Sequence, residues 1–295
     1  MRRAAAFRMT FSAGLRLTLT RGEFDALATI IRARLGIALA WEKASFVVGR
    51  LETYLLGKGI RSFQEYAEAL ESDSTGLLLG ELADRISTNY TYFNREREHF
   101  DFFRNRALPE IVERAKAERD PYVRVWCAAS STGEEPYMLA MLLHDFFGQD
   151  YRRWDVGVLA TDISDSALKT ATRGQYDEEQ IAALPPAFRA RYFLPLPGAR
   201  FEVRPEIRKD VLFRRLNLMS SAFRFKRLFD VIFCRNVMIY FDEVTRADLV
   251  RRLCTVLRPG GYLIVGHAEP LTQLERSGPG IPLQTVQTSV HRRRP

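Results

Sequence analysis

The chain has 295 residues, of which 46% are hydrophobic and 27% charged, enough for one sizeable core plus a small satellite domain. No run is long and apolar enough to span a bilayer, and three distant cysteines and four scattered histidines exclude a disulfide framework or a metal-ligand spacing. The net charge of +8 favours an acidic partner, although its sign alone does not choose among nucleic acid, a membrane surface and an acidic protein.

The opening stretch, MRRAAAFRMTFSAGLRLTL, mixes basic and apolar residues. Arg8 and Arg16 interrupt any signal-peptide core, so it reads as a tail. From about 20 to 80 the pattern is helical. Phe24, Leu27, Ile31 and Leu35 recur at spacings of three and four, with Thr20 and Glu23 as a capping box and Gly36 as a stop. Val47, Leu51 and Tyr54 continue into a second helix that ends near Gly57 and Gly59. Ser62 caps a third, with Phe63, Tyr66 and Leu70 on its apolar face. Nothing here reads as a strand, so residues 17–83 are expected to form a small all-α domain.

From about 120 the texture changes. Apolar β-rich runs at 123–129, 156–161, 211–218, 229–234 and 262–266 alternate with helical segments from about 135, from about 164 and over 245–257. Arg258-Pro259-Gly260-Gly261 reads as the turn that closes the last helix, and 285–291 alternates like an edge strand. Alternation of this kind gives an α/β fold: a mostly parallel sheet with helices on both faces. Pro195, Pro197, Gly198 and Pro205 break the rhythm and mark a small β insertion at about 188–215.

The most informative stretch is FDVIFCRNVMIYF, residues 229–241. An apolar strand stops abruptly at Arg235-Asn236, and Tyr240 follows four residues later. Polar residues at the carboxyl ends of strands are where open α/β sheets bind ligands. Three further strand ends carry compatible groups. After the first comes Ala-Ala-Ser-Ser-Thr-Gly-Glu-Glu, small residues followed by Glu134 and Glu135 at a helix start, which suit a ligand with a positive centre. The second ends at Asp162, placed to accept bonds from ribose hydroxyls, with Ser164 the better N-cap. The third closes with Asn217-Leu218. Four such ends make a constellation for S-adenosylmethionine. The donor-rich stretch from Ser87 to Glu96 lies between the two regions and also reads as an interdomain linker with its aromatics packed in a core. His267 and Glu269 follow the fifth strand; methyl transfer to a carboxylate needs no proton removal, so they read as structural.

Together STNYTYFNRE, WCAASSTGEEPY, ATDIS and FDVIFCRNVMIYF resemble the chemotaxis receptor methyltransferases, the CheR family, over nearly the whole chain. The resemblance implies a Rossmann-like class I methyltransferase sheet over 84–295, with its β insertion, behind a helical receptor-docking domain. It implies methyl transfer from S-adenosylmethionine to glutamate side chains of chemoreceptors, giving γ-glutamyl methyl esters and S-adenosylhomocysteine, in the cytoplasm. It carries cofactor contacts onto Asn89, Thr91, Arg95, Glu135, Asp162, Asn217, Leu218, Arg235 and Asn236, and sets Arg95 and Tyr240 beside the transferring methyl and the incoming carboxylate. Departures at Asn94, Cys127, Ser130 and Ala268 remove no implied contact. Lys43 and Arg50 flank the apolar face of the second helix, with Arg32, Arg34, Lys58 and Arg61 nearby; this fits docking on acidic methylation helices and equally a solvated basic surface. The 192–218 segment is slightly shorter than in members that bind a receptor's C-terminal pentapeptide, so no such tether is expected. Nothing demands more than a monomer or a metal.

Two other readings compete. A nucleic-acid methyltransferase fits the positive charge, but the 236–240 segment lacks the Pro-Pro of base-methylating enzymes and no nucleic-acid module is recognisable. A catalytically silent cofactor sensor is opposed by intact Arg95, Asp162, Asn236 and Tyr240.

Overall fold

The computed structural model describes residues 16–87, 89–271 and 281–295. The tail read over 1–15, and Thr88 of the linker, lie outside the described residues.

The N-terminal helices are α1 (Arg21–Leu35), α2 (Ala44–Gly57), α3 (Phe63–Ser72) and α4 (Leu77–Ile86). The capping box forms as the spacing requires: the Glu23 carboxylate accepts the Thr20 N–H at 2.9 Å while the Thr20 hydroxyl accepts the Glu23 N–H. Phe24, Leu27, Ile31, Val47, Leu51, Phe63, Tyr66 and Leu70 bury together as a separate core. Tyr54 sits at the border of that core, where its hydroxyl donates to Glu81 at 2.5 Å. The sequence reading missed α4. Its cap is displaced: Asp73, ahead of the Gly76 N-cap position, accepts the N–H groups of Thr75, Gly76 and Leu78 at 2.9, 3.0 and 2.8 Å.

The larger region runs α5 (Arg97–Phe102), a π turn at Phe103–Ala107, α6 (Leu108–Glu118), β1 (Tyr122–Cys127), α7 (Glu134–Phe147), β2 (Asp155–Asp162) and α8 (Asp165–Arg173). Then follow β3 (Gln175–Asp177), α9 (Glu178–Ile181), α10 (Pro186–Tyr192), β4 (Phe193–Leu196), β5 (Arg200–Val203), α11 (Pro205–Arg208) and β6 (Val211–Arg215). The chain ends with β7 (Phe229–Cys234), α12 (Glu243–Val256), β8 (Leu257–Val265), β9 (Leu283–Gln287) and β10 (Val290–Arg293).

Seven strands form one sheet in the order β6-β2-β1-β7-β8-β10-β9, and β3-β5-β4 form a small antiparallel sheet. The first five strands of the large sheet are parallel, and β10 is antiparallel to both its neighbours. Burial explains the order: all six residues of β7 are buried, so it takes the centre. Val125, Val231 and Phe233 face a core shared with α6 and α7, whereas Trp126, Ile232 and Cys234 face one shared with α12. The chain is thus an α/β sheet sandwiched by helices, with a small second sheet and an all-α domain in front.

The structure corrects four expectations. The strand expected over 211–218 ends at Arg215, which leaves Asn217 and Leu218 on a loop. The 258–261 turn does not stand ahead of the last parallel strand but lies within β8: Leu257 pairs with Phe229 and Tyr262 with Val231, and Gly260, at φ +77°, falls in the unpaired residues between. The single edge strand at 285–291 is a hairpin whose second arm, β10, lies inside the sheet. The helices at 97–118 went unread, because the π turn inserts a residue and shifts the apolar phase between Phe100 and Ile111.

Candidate functional site

A cleft of about 1070 Å³ opens at the carboxyl ends of β1, β2 and β7. Its walls include every residue singled out above: Asn89, Thr91, Arg95, Glu135, Asp162, Asn217, Leu218, Arg235, Asn236 and Tyr240. Ala128 and Ala129 form part of the floor, so backbone is open to close approach there.

The loop after β1 is tightly folded. Gly133 has φ +101°, and a Cβ there would stand 2.8 Å from the Tyr176 hydroxyl. Only glycine fits this turn into α7. Of the two acids that follow, Glu135 faces the cleft. Glu134 turns inward, 1% exposed, and accepts from the Thr132 hydroxyl at 2.7 Å. Asp162 is fixed by two backbone bonds, from Ser131 N–H at 2.8 Å and Ser164 N–H at 2.9 Å. Ser164 itself caps α8, as its position suggested. Burial pushes the Asp162 carboxyl up, and the Ser164 and Ser131 bonds limit that rise.

The end of β7 carries a buried charge cluster. The Arg235 side chain is 1% exposed and pairs with Glu135, with Glu96 at 3.1 Å and with the Arg95 carbonyl at 2.5 Å. It also lies over the Phe100 ring, 5.4 Å from its centroid. Cys127 belongs to the same cluster. Burial pushes its thiol up, so it stays protonated and donates to Glu135 at 3.0 Å. Arg95 also lies 4.0 Å from Glu96, so two guanidiniums meet two carboxylates here, and of the two acids only Glu135 lines the cleft.

Asn236 is left-handed, φ +57°, and its N–H donates to Glu269 at 2.7 Å. Glu269 is fully buried and also accepts the Gly266 and Ile239 N–H groups at 2.8 and 3.1 Å. It therefore shapes the strand end and has no free acid–base face, in keeping with the structural reading. A Cβ on Gly266 would meet Asn236 Nδ2 at 2.6 Å, so this close approach requires glycine. His267 is half-exposed and packs edge-on to buried His99, with centroids 4.8 Å apart. Sequence spacing gave no hint that these two histidines meet.

The 87–96 linker divides its aromatics. Phe93 is buried against Tyr176 and Phe193, whereas Tyr90 and Tyr92 are 70% and 40% exposed at the rim of the cleft. Arg95 donates to the Tyr90 carbonyl at 2.8 Å and is 24% exposed. The helical domain closes the other side. Ala38 N–H donates to the Tyr240 carbonyl at 2.8 Å, the Asn217 amide to the Arg34 carbonyl at 2.7 Å, and Arg32 pairs with Asp242 at 2.7 Å. These seam contacts were invisible in the sequence, since they join residues far apart in the chain.

Two family models match, one per region. The "CheR methyltransferase, all-alpha domain" covers residues 22–87 and the "CheR methyltransferase, SAM binding domain" covers 89–285. Curated relatives agree. A "Chemotaxis protein methyltransferase" of Borreliella burgdorferi is 40% identical over 257 residues, 87% of this chain and 91% of its own. That of Escherichia coli is 38% identical over 264 residues, 88% of each chain. "Chemotaxis protein methyltransferase 1" of Pseudomonas aeruginosa is 34% identical over 261 residues, 88% of this chain and 93% of its own.

The cleft suits S-adenosylmethionine on its own terms. The Glu135 carboxylate in the cleft wall complements an α-ammonium, and the fixed Asp162 carboxylate keeps lone pairs for hydroxyls. Matched in both regions and in the same order, the chain belongs to the CheR methyltransferase family, with S-adenosylmethionine as its cofactor.

Proposed function

We propose that this enzyme methylates glutamate side chains of chemoreceptors, forming γ-glutamyl methyl esters in sensory adaptation. The observation that carries the reading is the meeting of Arg95, from the linker, and Tyr240, from the segment after β7, in one cleft with an anionic end. The relatives' shared name supports the chemotaxis setting.

When bound, S-adenosylmethionine supplies a methyl group on a sulfonium that passes to a nucleophilic oxygen and leaves S-adenosylhomocysteine. The protein's share is alignment, with reacting atoms about 3–3.5 Å apart. Glu135 receives the cofactor's ammonium, and Arg235 acts through it by holding the carboxylate in place. Asp162 receives ribose hydroxyls. Asn89, Thr91, Asn217, Leu218 and Asn236 complete the walls. The Arg95 guanidinium orients the incoming carboxylate by paired bonds without removing its charge. Tyr240 packs beside the methyl or donates to the carboxylate.

The all-α domain, proposed here as 17–83, docks on the acidic methylation helices. Exposed Lys43 and Arg50 carry that task, Arg50 stacking over Phe46 at 5.2 Å. Arg32 and Lys58 are instead paired within the chain, to Asp242 and to Glu81 at 3.0 Å. The enzyme acts as a cytoplasmic monomer without a pentapeptide tether, the last from the shorter 192–218 segment. Nucleic acid is no substrate. Among the described residues no helix is long and apolar enough to cross a membrane.

The test is transfer of a tritiated methyl group to a chemoreceptor cytoplasmic fragment, followed by alkaline release of methanol. Base-labile label is the expected result; cofactor binding without label on several receptors rejects the receptor reading. Arg95→Ala lowers turnover about 100-fold even at saturating cofactor. Asp162→Ala weakens cofactor binding about tenfold and leaves turnover at saturation nearly unchanged.

A further inference from the structure

Glu96 follows Arg95 and has no part in the reaction described above. Its backbone is left-handed, φ +56°, as is that of Asn94 at φ +62°. For residues other than glycine this backbone is strained, and the surroundings must offset the cost. The surroundings are five partners on one carboxylate: Arg95 itself at 4.0 Å and four from elsewhere in the fold. Asn236 Nδ2 donates at 3.0 Å and the His267 N–H at 3.2 Å; Arg235 pairs at 3.1 Å and His99 Nδ1 lies at 3.3 Å.

These partners come from the ends of β7 and β8 and from α5, whereas Glu96 closes the linker. The same Arg235 that pairs with Glu96 also holds Glu135 and the Arg95 carbonyl. Glu96, His99 and His267 bring their ligand atoms within 4.8 Å of one another, a spacing open to a metal ion. The buried Arg235 guanidinium already supplies the positive charge at this carboxylate, so the cluster reads as a clamp. Burial pushes the Glu96 carboxyl up; the Asn236 bond and the Arg235 charge outweigh this and keep it ionised.

We propose that Glu96 is a positioning residue that pins the Arg95 end of the linker to the ends of β7 and β8. It fixes where the Arg95 guanidinium can reach in the cleft. The proposal rests on the role given to Arg95 above.

The test compares Glu96→Gln with Asp101→Asn, an exposed acid on α5 that pairs with Arg97 outside the clamp. Calorimetry with S-adenosylhomocysteine counts competent sites, so turnover is expressed per site. In Glu96→Gln we expect turnover per site on a chemoreceptor fragment to fall about tenfold or more, with KM for S-adenosylmethionine within about threefold of the parent. A merely structural glutamate would lower the number of sites and leave turnover per site alone. Hydrogen exchange in the S-adenosylhomocysteine complex gives an activity-free readout. Amides 89–96 should exchange about tenfold faster in Glu96→Gln and at the parent rate in Asp101→Asn. Glu96→Asp keeps the charge on a shorter arm; it should fall between and serves if the glutamine variant does not fold. Unchanged exchange over 89–96 in a folded Glu96 variant overturns the proposal, as does unchanged turnover per site. No transfer by the parent enzyme would overturn the receptor reading, and the exchange result would still decide the role of Glu96.

Discussion

The central strand β7 carries a buried charge cluster at each end, and the two are built differently. At the amino end the fully buried group is an anion: Asp230 stands between Arg114 at 2.6 Å and Arg258 at 3.4 Å, and both also reach Glu118, at 3.6 and 3.2 Å. Asp230 also accepts the Arg124 N–H at 2.8 Å, which ties β7 to β1. At the carboxyl end the buried group is a cation: Arg235 stands between Glu96 and Glu135, with Arg95 4.0 Å from Glu96. The amino-end cluster is closed on itself and remote from the cleft, so its charges serve assembly of the sheet. The carboxyl-end cluster turns Glu135 into the cleft, where its carboxylate is open to a cationic ligand. The same strand thus shows that burial of an ion pair does not reveal its purpose; the side left open does.

The largest effect should come from the amino end. Asp230→Asn removes the buried anion from Arg114 and Arg258, which keep only the more exposed Glu118, and should cost about 3 kcal/mol in urea unfolding. Calorimetric affinity for S-adenosylhomocysteine should stay at the parent value. If affinity fell and stability held, the division between the two ends would collapse. Glu135→Gln is the converse. It should weaken S-adenosylmethionine binding by about 2 kcal/mol, roughly 30-fold, with a smaller loss of stability.

Acid sharpens the same contrast. Burial, helped by the Arg235 charge, lowers the His99 pKa to about 3. An unfolded histidine titrates near about 6.5, so between these values the unfolded chain holds the extra proton. The neutral ring's contribution is therefore complete above pH ~6.5 and drains away as pH falls. From this residue, stability at pH ~5 should be lower than at pH ~7 by about 2 kcal/mol, and His99→Leu should flatten that slope. An equal slope in the variant would mean that the proton is taken up elsewhere. The smallest effect lies farthest from either cluster. Arg50→Glu should raise KM for the receptor fragment severalfold while cofactor affinity is unchanged; equal kinetics would make this face a solvated surface.

Much of the site was legible because its residues sit where strands stop. Asp162 closes β2 and Arg235-Asn236 follow β7, and a polar residue after an apolar run marks that boundary whatever the rest of the chain does. Glu135 was legible as one of a pair, but which of the two faces the cleft was not: the tight turn at Gly133 and the Thr132 hydroxyl turn Glu134 inward. The role of Glu96 was hidden altogether. Its partners lie at 99, 235, 236 and 267, and no local pattern joins them.

Local chemistry in the sequence determined the helix starts at Thr20 and Ser62, the apolar strands and the order of alternation, because capping and burial periodicity act over a few residues. Tertiary structure alone decided three things. It carried β8 across Arg258–Gly261, because Leu257 pairs with Phe229 and Tyr262 with Val231 on either side of that turn. It paired β9 with β10 into a hairpin, which places β10, with Val290 and His291 buried, inside the sheet and leaves β9 at its edge. And it drew Glu96, Glu135 and Arg235 together, because a guanidinium taken out of water at a sheet edge is stable only with its anions around it.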